Sequence, residues 1–233
     1  MEIQKEIRQL ANPEKAKILM GFFKTGKGQY GEGDKFLGIT VPQTRALVKK
    51  YQRLPLEQTL QLLESSFHEE RLFALLMMVA QFEKGDEKMR KKIFQAYLKK
   101  TKRINNWDLV DLSADKIVGA YLAGKPKDLL FKLAGSKILW ERRIAMLATF
   151  HEIKNGRSET ALAIAEKLLN DKEDLMHKAV GWMLREVGKR CSQKKEEVFL
   201  KKYATVMPRT MLRYAIERFE EGKRLKYLHF YKK

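Results

Sequence analysis

Cysteine is nearly missing from this chain. One thiol, Cys191, stands in 233 residues, so no intrachain disulfide can form. That excludes a disulfide-stapled secreted scaffold and fits a reducing compartment. No His, Asn or Gly context of a known thiol site surrounds Cys191, which therefore reads as inert. Proline is sparse too, and Pro13, Pro42, Pro55, Pro126 and Pro208 each stand where a helix can begin. Runs of alternating β-branched residues are absent, which argues against a sheet. No apolar stretch approaches the roughly 18 residues that span a bilayer. The first residues, Met1-Glu2-Ile3-Gln4-Lys5-Glu6, are charged and amphipathic and lack the apolar core of a secretory signal. A cytoplasmic protein with no membrane partner is the expectation. His68, His151, His177 and His229 never pair at metal-ligand spacing, and no second cysteine completes a zinc set. No metal is expected, and the zinc-deaminase signature is missing as well.

What the chain does have is positive charge. Lys and Arg number 48 against 29 Asp and Glu, a formal net charge of +19. Such an excess favours an anionic partner, nucleic acid or a membrane surface. A hydrophobic content of 44% suffices for a packed core.

From about residue 43 onward apolar residues recur at three- and four-residue intervals, as in Leu72, Leu75, Leu76 and Val79. Asn12-Pro13-Glu14 offers a capping Asn with Pro in the first turn, and Thr40-Val41-Pro42-Gln43 matches a capping box. The reading is all-α. Similar helix cores around Glu70-Arg71, Glu141-Arg142, Met176-His177 and Met211-Leu212 recur in steps of roughly 35 residues. That pattern suits an α-solenoid of HEAT-like helical repeats, curved and with a basic concave face, in one domain over 1–233 that acts as a monomer. The exception is the glycine-dense loop 24–34, expected to be mobile unless something binds it.

That loop imitates two nucleotide motifs. Gly28 stands where a Walker A loop needs a metal-binding hydroxyl, and the formal dinucleotide fingerprint Gly26-Lys27-Gly28-Gln29-Tyr30-Gly31 follows helical sequence rather than a strand. Both readings are set aside. The basic tail 222–233 mixes cations with aromatics, and contacting phosphate or solubilising a terminal helix fits it equally well.

The most informative stretch is Trp107-Asp108-Leu109-Val110-Asp111. On a helix its indole and the carboxylate of Asp111 share one face. A carboxylate beside an aromatic ring, in a chain that attracts polyanions, suggests chemistry on nucleic acid rather than attraction alone. The bland reading pairs Asp111 with a basic neighbour such as Lys116 and makes Trp107 a packing residue.

Three segments carry a resemblance: Asn106 to Asp111, Leu139-Trp140-Glu141-Arg142-Arg143, and Lys178 to Glu186, with Phe36 to Pro42 upstream. Together they resemble the AlkD-type DNA alkylation repair glycosylases, which are built from HEAT-like repeats, over about residues 13 to 220. The resemblance implies Asp111 as catalytic carboxylate, Trp107 and Trp182 as aromatic walls, and Arg143 as a contact to the DNA backbone. It implies excision of positively charged N-alkylated purines such as 3-methyladenine and 7-methylguanine from duplex DNA, with no metal and no small cofactor. It also implies action without drawing the damaged base into a deep pocket, unlike base-flipping enzymes. Trp140 is assigned to packing. Arg185 and Lys178 fall near the helix face of Trp182 and are candidate DNA contacts, while pairing with Glu186 is an equal alternative for Arg185. An aromatic residue before the repeats, Phe22, Phe23 or Tyr30, is a candidate to meet DNA.

The chemistry of the residues agrees. An N-alkylated purine is already cationic and leaves as a neutral base, so positive charge moves onto the deoxyribose, where a carboxylate stabilises it and orients water. Indole faces attract a cationic lesion by about 0.5 to 2 kcal/mol each. The alternatives are a non-catalytic HEAT-repeat protein that binds distorted or branched nucleic acid, and a scaffold for an acidic protein partner.

Overall fold

The computed structural model describes residues 1–229, so Phe230, Tyr231, Lys232 and Lys233 of the basic tail lie outside the described residues. The fold is all-α, as expected, with no strand among the described residues beyond an isolated bridge between Lys35 and Phe67. The helices are α1 (Glu2–Gln9), α2 (Pro13–Phe22), α3 (Val41–Lys50), α4 (Leu56–Leu62), α5 (His68–Lys84), α6 (Glu87–Lys99), α7 (Trp107–Asp111), α8 (Asp128–Ala134), α9 (Leu139–Ala148), α10 (Phe150–Lys154), α11 (Glu159–Lys167), α12 (Asp174–Arg190), α13 (Gln193–Tyr203), α14 (Arg209–Ala215) and α15 (Glu221–His229). The starts follow the sequence signals. The Asn12 side chain accepts from Lys15 N at 2.9 Å, Gln43 accepts from Thr40 N at 2.9 Å, and Pro13 and Pro42 sit in first turns.

Two compact units divide the chain, Met1–Ser113 and one that begins at Ala114. In the first, α3, α4, α6 and α7 pack around α5. That helix is buried on every side from His68 to Val79, with Phe73, Leu75, Met77 and Met78 inaccessible. Its first turn nevertheless carries charge inside: His68, Glu69, Glu70 and Arg71 are all buried. Burial of an ion is tolerated only when its hydrogen-bonding capacity is filled. Glu69 accepts from the backbone N–H groups of Leu37 (2.9 Å), Gly38 (2.8 Å) and Ile39 (3.2 Å), and Glu70 accepts from Gln4 Nε2 (2.9 Å) and Arg8 Nε (2.8 Å). The first turn of α5 thereby fastens the segments on both sides of α2. Gly38 is obligatory there: its φ is +85°, and a Cβ would strike the Asn12 carbonyl and lie 2.8 Å from Ala16 N.

The glycine-dense loop is fastened rather than free. Thr25 N donates to Met20 O (3.1 Å), Gly31 N to Lys24 O (3.1 Å), Gly26 N to Gln29 Oε1 (2.9 Å) and Gly28 N to Glu32 Oε2 (2.8 Å). Composition suggested mobility, but side chains within the loop satisfy its own amides.

In the second unit α12 is the hub, packed against α9, α10, α11, α13 and α14. Close approach is made possible by Gly181, where a Cβ would run into the Met211 carbonyl of α14. Within each unit the helices thus pack on partners close in chain order, one to three elements away, the habit of helical-repeat proteins.

Candidate functional site

Helix α7 begins where Asn106, fully buried, accepts from Trp107 N at 2.9 Å, and Asp108 Oδ1 accepts from Leu109 N at 2.8 Å. Both are N-terminal side chains that satisfy amides a helix start leaves open. Leu109 and Val110 are buried, which leaves Trp107 and Asp111 half-buried on the remaining face. One short helix therefore carries the indole and the carboxylate one turn apart, the spacing that shares a helix face.

Trp107 closes a stack of rings. Phe23 lies parallel to it at 5.2 Å, Phe22 meets it edge-on at 5.9 Å, and Phe23 in turn stacks on Phe36 at 5.0 Å. Phe23 and Phe36 are buried, whereas Phe22 is 61% exposed. Of the candidate N-terminal aromatics, Phe22 is the one presented to solvent beside Trp107. Tyr30 is half-buried.

Beneath the stack lies a polar network that the sequence reading did not find. His68 is stacked on Phe36 at 4.5 Å and tilted against Phe23 at 5.0 Å. Its Nε2 is 2.8 Å from Asp108 Oδ2, and its Nδ1 is 3.4 Å from Asp34 Oδ2. Asp34 Oδ1 also accepts from Arg71 (2.8 Å) and Asn105 (3.0 Å). Burial alone would push the His68 imidazole down, but the charge and hydrogen bond of Asp108, with the hydrogen bond of Asp34, outweigh it and Arg71, and hold the ring above its ordinary value. Burial likewise pushes Asp34 up, yet His68, Arg71 and Asn105 together keep it below the usual carboxylate range. His68 is thus favoured as a cation between two carboxylates. The sequence hinted at one member only: Asp108 directly follows Trp107 and is buried together with Leu109 and Val110.

In the second unit, α12 carries Lys178, Trp182 and Arg185 at helical spacing. Lys178 Nζ pairs with Asp174 at 2.8 Å, and the half-buried Trp182 ring lies 5.9 Å from Phe150. Arg185 pairs with Glu186 at 3.3 Å and with Glu217. Arg143 departs from expectation: on α9 it is only 4% exposed, and its guanidinium donates to the Leu175 carbonyl at 2.5 Å. A side chain spent on the start of α12 is not presented to a phosphate. Trp140 is buried, in keeping with its assignment to packing.

Clefts of about 450 and 540 Å³ open beside the Gln52–Pro55 turn, and no residue of α7 lines either. Among the described residues no group of three or more His, Cys, Asp or Glu side chains is arranged to hold a metal ion, and no helix is long and apolar enough to cross a membrane.

Comparison with known proteins gives two findings. The sequence profile of the family described as DNA alkylation repair enzyme matches residues 3–219. Among solved structures, the fold is similar to one titled "Predicted DNA alkylation repair enzyme from Enterococcus faecalis", with a TM-score of 0.68, 19% identity, and coverage of 91% of this chain and 97% of that one. No curated protein sequence matches.

Proposed function

This chain belongs to the DNA alkylation repair enzyme family, and from that premise we propose that it is a monofunctional DNA glycosylase, a monomer acting in the cytoplasm on duplex DNA that carries cationic N-alkylated purines such as 3-methyladenine and 7-methylguanine. The observation that carries the reading is the half-buried Asp111 standing one helical turn from the half-buried Trp107 on α7, backed by the ring stack of Phe22, Phe23 and Phe36.

The chemistry needs little else. Cleavage of the N-glycosidic bond returns its electron pair to the cationic purine, which departs as a neutral base. Positive charge then resides on C1′ and the ring oxygen of the deoxyribose. Asp111 stabilises that cation, takes a proton from water, and so directs the water oxygen onto C1′. Trp107 and the exposed edge of Phe22 offer π faces that favour a charged lesion over a neutral base. No step calls on a metal or a small cofactor.

Trp182 remains the second aromatic contact to DNA in this proposal, and Lys178 and Arg185 are the phosphate contacts, each exchanging an acidic partner for DNA. Arg143 becomes a positioning residue, because it fastens the Leu175 carbonyl at the start of the helix that carries them. The formal charge of +19 supplies long-range attraction to the duplex.

Incubating the protein with methylated duplex DNA and separating the released bases tests the reading. Release of 7-methylguanine or 3-methyladenine with matching abasic sites supports it. Salt-sensitive retention of the duplex with no abasic product would replace it with the non-catalytic nucleic-acid binder.

A further inference from the structure

His68 belongs to no part of the chemistry above, yet it lies where the glycine-dense loop, α5 and α7 meet. We propose that His68 is the positioning residue of the α7 site: clasped between Asp34 and Asp108 and wedged against Phe23 and Phe36, it sets where Trp107 and Asp111 stand. This inference rests on the glycosylase reading of α7.

Two routes lead from the imidazole to the site. The polar route runs through Asp108, which is the residue after Trp107; its Oδ2 meets His68 Nε2 at 2.8 Å while its Oδ1 holds Leu109 N at 2.8 Å. One carboxylate thus ties the ring to the first turn of α7. The aromatic route runs through Phe23, which touches His68 at 5.0 Å on one side and Trp107 at 5.2 Å on the other. A shift of the imidazole is therefore felt by both the backbone and the indole of Trp107. Packed interiors transmit such shifts because they hold few voids.

On its other nitrogen His68 faces Asp34, the last residue of the glycine-dense loop, which Arg71 and Asn105 also hold. The charged groups that bear on the ring are Asp34 from the loop, Asp108 from α7 and Arg71 from its own helix, with Arg103 beyond Arg71. Phe23 and Phe36 supply rings only. A single proton on His68 therefore joins two otherwise repelling carboxylates from different segments. Its folded-state affinity for that proton is raised, so the clasp is fully present below the ordinary imidazole range and is lost as pH rises through the higher folded value. The proposal distinguishes His68 from a packing residue because its charge, not its volume, does the positioning.

The test reads Trp107 directly. With the indole N–H resonance assigned through Trp107→Phe, the full-length protein is titrated from pH 6 to 10 by ¹H–¹⁵N spectra, for wild type and His68→Gln. The expected result is an indole resonance that moves with the His68 ring protons in wild type and stays flat in His68→Gln. On methylated duplex DNA, His68→Gln is expected to lose about ten- to a hundredfold in kcat at unchanged KM, and to lack the alkaline fall in kcat expected of wild type. A Trp107 resonance that ignores the His68 titration in wild type would overturn the proposal whether or not the variant folds. A Trp107 resonance that follows it in a protein that releases no base would uphold the clasp and refute the glycosylase reading instead.

Discussion

Glu196 on α13 offers the sharpest quantitative prediction. It is 2% exposed, its Oε1 has no hydrogen-bond partner, and its carboxylate fills the space that a Cβ on Gly188 would take on α12, the helix that carries Lys178, Trp182 and Arg185. Burial raises its pKa to about 8, with Glu197 adding to the rise while Lys223 and Arg185 oppose it. In the unfolded chain the same group titrates at about 4.5. Between those values the folded state binds a proton that the unfolded state does not, so stability falls as pH rises through that window, by about 1.4 kcal/mol per unit. At pH 7 the accumulated loss is about 3 kcal/mol, and it levels off once pH exceeds the folded value. Glu196→Gln removes the titration and keeps the shape. Circular dichroism melts at pH 5, 7 and 9 are the assay. The variant should match wild type near pH 5 and exceed it at pH 7 by several degrees, on the scale of about 2 to 4 °C per kcal/mol for a chain of this size. The gap should widen further to pH 9. Parallel melting curves across that range would refute the reasoning and place the ionised carboxylate in solvent.

Other consequences follow from the first unit and from α12. Gly38→Ala forces a side chain into positive φ and into the Asn12 carbonyl, and should destabilise by about 2 to 4 kcal/mol in urea unfolding, whereas Gly33→Ala, also at positive φ but in open space, should lose only about 1 kcal/mol. Phe22→Ala should leave the melting temperature within about 2 °C because the ring is exposed, yet lower kcat/KM on methylated DNA about five- to tenfold through the lost π contact. Lys178→Ala should weaken duplex binding and reduce the magnitude of the salt slope by about one, measured by fluorescence anisotropy between 50 and 200 mM salt.

What the sequence disclosed and what it withheld divide along physical lines. Helix starts at Asn12, Thr40 and the prolines were legible because capping is a property of a few adjacent residues. Trp107 and Asp111 were legible because helical spacing alone puts them on one face. The His68 network was not, because its members come from segments far apart in the chain, and a His-Glu-Glu-Arg run at a helix start reads as a solvated turn until tertiary packing encloses it. Arg143 misled for the same reason: its partner, the Leu175 carbonyl, is a backbone atom from another helix, which no side-chain pattern announces. The loop 24–34 looked free because glycine lowers the penalty for many conformations, while the side chains of Gln29, Glu32 and Asp34 select one.

The account stands on the carboxylate of Asp111. Single-turnover release of 7-methylguanine from methylated duplex DNA, compared between wild type and Asp111→Asn, addresses it most directly. The account predicts a rate at least about a hundredfold lower in the variant with duplex affinity within a few-fold of wild type, because the amide cannot balance the sugar cation or take the proton. Equal release by the two proteins would contradict it.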